Sequence, residues 1–244
     1  MAPVAPTTIT PPSASCPQRK VRKNVRTLSE EEKRALVEAM RRAMASGALQ
    51  QVMGLHGVPA DTTICGTRGN SVPCCPHDEN WPAFLPWHRN YMVQLEEVLG
   101  LPLPYWDWTE DSSWPNLFEP ILKDIHDNAG IDVIAGLNEF GTAGQCDPAN
   151  PGGLDAYRAR QRGIAHSNFL QEQPNFKRQI GLAFIKENYR EFSSQLSNPH
   201  NMVHNTNPCN LRPTLVAAWD PVFFLHHAFV DMQYAYWQVC CVTI

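Results

Sequence analysis

No stretch of this 244-residue chain approaches the roughly 20 consecutive apolar residues that a helix needs to cross a bilayer, which gives no reason to expect a membrane-spanning protein. There is no N-x-Ser/Thr sequon, so N-glycosylation leaves no mark in the sequence. Excess charge of either sign is also lacking. Twenty Lys and Arg against 24 Asp and Glu give a net charge of −4, which offers no basis for nucleic acid or an anionic membrane as partner. The locally basic run QRKVRKNVR, from Gln18 to Arg26, reads as a solvated surface segment. Period-two alternation is weak throughout and no internal repeat occurs, so the class is mainly α. The opening MAPVAPTTITPPSAS has neither the charged n-region nor the apolar h-region of a secretory signal. Residues 1–20 read as a Pro/Thr/Ser-rich tail or linker ahead of one domain, residues 21–244.

What the chain does have is cysteine. Eight (Cys16, Cys65, Cys74, Cys75, Cys146, Cys209, Cys240 and Cys241) in one modest domain imply an oxidising compartment or a soft metal site. The expectation is a secreted protein given without its leader.

Helical signals are clear in four places. In TLSEEEKRALVEAMRRAMASG, Ser29 and Glu32 make a capping box, Leu36, Val37, Met40 and Met44 follow helical spacing, and Gly47 closes the helix. WHRNYMVQLEEVLG, from Trp87 to Gly100, repeats the period through Tyr91, Leu95, Val98 and Leu99. PNFKRQIGLAFIKENYREFSSQL continues helically toward NPHNMVHN. The last helix takes Asp220 as N-cap and Pro221 as first residue, runs through Trp237 or beyond, and is apolar almost all round, which puts it in the middle of the fold. Between these, residues 57–82 read as a loop, LPLPYWDWTED as a packed aromatic loop, and residues 111–173 as a long irregular excursion.

Histidine carries the chemistry. HNMVH places His200 and His204 at i and i+4, on one helical face and within reach of one ion. A zinc peptidase would need Glu after the first His; Asn201 stands there instead. In DPVFFLHHAFVD the adjacent His226 and His227 interrupt an apolar run, and either of them completes a triad with His200 and His204. A second triad is available from His56, His77 and His88, in two loops and at a helix start. All-imidazole triads exclude Ca²⁺ and Mg²⁺, which prefer oxygen ligands, and leave Zn, Cu, Ni and Fe. Paired triads without a bridging carboxylate argue for copper, because six neutral ligands leave the metal charge to be balanced by an anion derived from O2. His126 and His166, with no apolar period around them, read as exposed.

The segments PAFLPWHRNYMVQLEEVL, LPYWDWTED, HNMVH and DPVFFLHHAFVDMQYAYWQ, in that order, resemble the type 3 copper family of tyrosinases, catechol oxidases and molluscan hemocyanins, and most of all a secreted animal tyrosinase. The resemblance covers about residues 21–239 and includes the start VRKNVRTLSEEEKRALVEAM. It implies a mainly α domain whose four-helix-bundle core holds two copper ions, with long disulfide-tied loops. One copper would be bound by His56, His77 and His88, the other by His200, His204 and His227, with His226 a buried non-ligand. Adjacent helical residues point about 100° apart, which is compatible with one of the pair facing the metal. Asp231, four residues after His227, is a candidate to orient its ring.

The same resemblance makes Cys75 a candidate for a thioether to His77, pairs Cys65 with Cys74 and Cys146 with Cys209, and makes Asn201 and Glu191 candidates to order a catalytic water. Ten residues separate His77 from His88, two more than is usual in the family, and the chain stops at QVCCVTI, so the domain is expected to be truncated at its C-terminus. The implied activity is oxidation of phenols or catechols to o-quinones with O2. The alternatives are a hemocyanin-like oxygen-binding unit and a non-catalytic family member.

Overall fold

The computed structural model describes residues 20–56, 82–111, 115, 117–118, 173–206 and 217–240. His77, His126, His166 and every cysteine except Cys240 lie outside them, as do the expected thioether and both expected disulfides. Cys240 is exposed and free.

Helix α1, Glu30–Ala45, begins where its chemistry says it should. The Ser29 hydroxyl accepts from the Glu32 N–H at 3.1 Å, and the Glu32 carboxylate accepts from the Ser29 N–H at 2.8 Å, so two otherwise unpaired donors of the helix start are satisfied. Its buried face is Leu36, Ala39, Met40 and Ala43. Gly47 then takes φ +77°, a left-handed conformation that side chains resist, and reverses the chain into α2, Ala48–His56. Leu49, Val52, Met53 and His56 form the buried stripe of α2 at i, i+3, i+4 and i+7. His56 therefore ends a helix, where a loop was expected; the spacing of those four residues is the signal that marks it.

Helix α3, Phe84–Leu99, starts three residues earlier than the sequence period indicates. Pro86 is tolerated there because the first turn of a helix has no partner for its missing N–H. The Tyr91 hydroxyl donates to the Met53 carbonyl at 3.1 Å and ties α3 to α2. After Gly100, residues 101–109 form the expected packed loop. Trp106 and Trp108 are fully buried in it, and the Trp106 N–H donates to the Leu225 carbonyl at 3.0 Å, anchoring the loop to the start of the last helix.

Residues 173–184 form α4, and α5 is Tyr189–Thr206. The single helix expected across this region is interrupted at residues 185–188, where the Asn188 side chain accepts from the Glu191 N–H at 3.0 Å and caps a new start. Helix α6, Val222–Cys240, follows Asp220, whose carboxylate accepts from the Val222 N–H at 3.0 Å. It is buried on nearly every side from Val222 to Val230.

α6 is packed along α3, with α1 and α2 behind α3. On its other side Phe192 of α5 stacks on Trp237 at 4.6 Å and 14°. Helices α2, α3, α5 and α6 make the four-helix-bundle core, and among the described residues there is no strand beyond one parallel bridge, Asn24 to Tyr105. No helix among them is long and apolar enough to cross a membrane.

The basic N-terminal run corrects one expectation. Arg26 pairs with Asp111 at 3.1 Å, and Arg22, its side chain only 19% exposed, reaches both Glu96 and Asp231. Arg22 is held inside by carboxylates contributed from α3 and α6, 74 and 209 residues away in sequence.

Truncating the fully buried Leu95 to Ala is expected to lower the unfolding free energy by about 2–5 kcal/mol. Ser29→Ala, which removes half of the α1 capping box, is expected to cost about 1 kcal/mol. Urea unfolding followed by circular dichroism measures both.

Candidate metal centre

The four core helices bring their histidines to one place. α6 contributes His226 and His227, α5 contributes His200 and His204 from successive turns, α3 contributes His88, and α2 ends on His56. The ligand atoms of His200, His204, His226 and His227 all lie within 4.8 Å of one another. His200 Nε2 stands 3.0 Å from His204 Nε2 and 3.3 Å from His227 Nε2. Imidazole nitrogens bound to one first-row ion at about 2.0–2.1 Å stand about 3 Å apart, so this spacing fits a shared metal.

Hydrogen bonds select which nitrogen faces inward. Asn201 Oδ1 lies 2.8 Å from His200 Nδ1 and accepts its proton, which leaves the lone pair on Nε2. The carbonyl of Phe84, one turn before His88, does the same for His88 Nδ1 at 2.9 Å. Burial disfavours the charged imidazolium and pushes His200, His226 and His227 well below the usual imidazole range, and the neighbouring imidazoles push the same way. At neutral pH these rings are therefore in the neutral form that binds a metal.

The His88 ring stacks on His227 at 4.1 Å and 9°, and His56 lies 5.6 Å from His88. A second imidazole group, from α2 and α3, thus faces the α5–α6 group across that stack. Phe223 lies between them, 4.7 Å from His56 and 4.2 Å from His227, while Phe84 packs on His88 and His200 at 4.8 and 4.9 Å. These two phenylalanines were missed in the sequence, although each stands four residues before a clustered histidine, in FLPWH and FFLHH. Their rings keep the site apolar.

Other expectations for the site fare differently. Glu191 is exposed in the first turn of α5, about 13 Å of helix rise from His200, and is not brought to the cluster. Asp231 does not orient His227: both its oxygens are held by arginines, and His227 Nδ1 has no hydrogen-bond partner. His226 is fully buried and inside the cluster, stacked on His200 at 5.0 Å and 17°, with neither ring nitrogen hydrogen-bonded.

A mainly α bundle whose largely buried imidazoles gather in two facing groups defines a copper protein of the type 3 class. The family description "Common central domain of tyrosinase" matches residues 46–239, and the chain belongs to this family, whose domain holds two copper ions. The chain is 31% identical over 230 residues to Hemocyanin 2 of Megathura crenulata, covering 89% of this chain and 6% of that protein. It is 30% identical over 231 residues to Hemocyanin beta-C chain unit G of Helix pomatia, covering 89% of this chain and 51% of that unit. Its fold matches a functional unit of octopus hemocyanin with a TM-score of 0.58 at 22% identity, over 91% of this chain and 53% of the other. The chain spans about half the length of these single units and a small part of the multi-unit protein.

Because both ring nitrogens of His226 lack partners, His226→Phe is expected to raise the unfolding free energy of the copper-free protein by about 1 kcal/mol. Urea denaturation in the presence of a chelator measures it. A loss of stability would show that the imidazole is satisfied after all.

Proposed function

We propose that the protein binds dioxygen at a dinuclear copper site and uses it to oxidise small phenols or catechols to o-quinones. The observation that carries this reading is the convergence of the His200, His204 and His227 Nε2 atoms beside the His88–His227 stack. In this assignment one copper is held by His56, His88 and His77, and the other by His200, His204 and His227. The copper pair, when bound, supplies O2 binding and the capacity to withdraw two electrons from a substrate.

The chain's own residues set the conditions for that chemistry. Among the described ligands, His56, His88, His200, His204 and His227 all sit on helices, so their positions are fixed before metal or substrate arrives. Asn201 fixes the tautomer of His200, and the Phe84 carbonyl that of His88. Phe84 and Phe223 line the space beside the groups with apolar surface, which favours a dry site where electrostatic interactions are stronger. Asn201 serves the site by holding a ligand ring. The exposed Glu191 has no place in this assignment.

A second reading, reversible dioxygen binding without turnover, is favoured by the relatives, which are named hemocyanins. An extracellular location accords with either, since eight cysteines suit an oxidising compartment.

Protein reconstituted with copper is expected to hold two ions per chain and to develop a strong near-ultraviolet band that appears with O2 and fades on its removal. It should convert a catechol to the o-quinone, followed by absorbance. The band without turnover would select the carrier reading. Two bound coppers without the band would overturn both.

A further inference from the structure

The two proposed copper groups lie on different helix pairs, and the stacked rings of His88 on α3 and His227 on α6 mark where they meet. The placement of α3 against α6 therefore sets the distance between the groups. Apolar packing alone is non-directional and leaves the axial register of two helices weakly determined. Directed contacts supply what it lacks. Arg89, the residue after His88, reaches Asp231, one turn after His227, with Nε 2.5 Å from Oδ1. Its Nη1 donates to Gln238 Oε1 at 2.9 Å, and its guanidinium lies 4.4 Å over the Tyr234 ring.

The other Asp231 oxygen accepts from Arg22 Nη1 at 2.8 Å. Arg22 also grips both oxygens of Glu96 on α3, at 2.6 and 3.1 Å, and Glu96 Oε1 additionally accepts the Leu103 N–H at 2.9 Å. Two guanidinium groups and two carboxylates thus close a charge-balanced cluster. Its carboxylates are 7% and 12% exposed, so solvent screens them little. The planar fork of each arginine fixes angle as well as distance.

We propose that Asp231, with Arg89 and Arg22, is a positioning device that sets the spacing between the two copper groups, a role that rests on the dinuclear reading above. The cluster touches neither metal nor substrate. It acts by holding the α3 turn that carries His88 in register with the α6 turn that carries His227.

Two Cu(II) ions close enough to share a bridging ligand couple their spins and give no electron paramagnetic resonance signal; ions drawn apart each give one. In the copper-loaded oxidised protein the wild type is expected to be silent. Asp231→Asn should keep two coppers and the helical circular dichroism, yet show a copper signal and lose more than half of the O2-dependent band. Asp231→Glu, which keeps the charge, should restore much of both. Arg22→Gln should move both readouts in the same direction by less. If Asp231→Asn fails to fold, Arg22→Gln and Arg89→Lys decide the matter. Spin silence with a full band in the folded variants would overturn the proposal. A wild type that binds two coppers without the O2-dependent band would instead overturn the dinuclear dioxygen reading.

Discussion

Neutral imidazoles held inside an apolar core are the constraint around which this protein is arranged. A buried imidazole is costly unless its nitrogens are occupied, and His226, His227 and their neighbours lie among Phe223, Phe224, Leu225 and Phe229 with little water to help. Helix α6 must therefore run through the middle of the molecule, and α3, α5 and the Trp106–Trp108 loop must close around it. A metal that takes up the inward lone pairs removes part of this cost. Copper binding then stabilises the fold as well as equipping it, in proportion to how far the ion prefers the folded state.

Polar satisfaction is distributed in a definite way around that centre. Inside, the hydrogen bonds that do form orient rings: Asn201 to His200, and the Phe84 carbonyl to His88. One layer out, charge is paired in Arg22, Glu96, Asp231 and Arg89, where guanidinium and carboxylate neutralise one another without approaching the metal positions as bare charges. Keeping net charge out of the site lets bound metal ions be the dominant local charges.

Much of this was legible along the chain. The capping box of α1, the Gly47 reversal, the apolar run of α6 and the i, i+4 pair on α5 are local patterns, encoded within one or two helical turns, and each is found where it was expected. The misreadings share a different character. His56 reads as a loop residue because Gly54 and Gly57 flank it, while the stripe of Leu49, Val52 and Met53 that carries the helix onto it is short. The break at residues 185–188 hid behind an unbroken apolar period, since Asn188 declares itself a cap only through its bond to Glu191. Glu191 is a candidate by family resemblance and Asp231 by its i+4 spacing from His227. Distance along a helix does not say which way a carboxylate turns when an arginine or solvent competes for it.

The sequence by itself determined the mainly α class, the copper-protein family and which histidines are candidates to serve it, because residue type and short-range spacing are enough to specify helices and to put imidazoles on one face. Only the tertiary structure decided which partners those residues have. Asp231 turns to Arg22 and Arg89, and His226 lies against His200 with no hydrogen bond of its own. Those choices depend on groups that are far apart in the chain, Arg22 and Asp231 by 209 residues, and are made when packing brings them within a few ångströms and burial makes an unmet charge expensive.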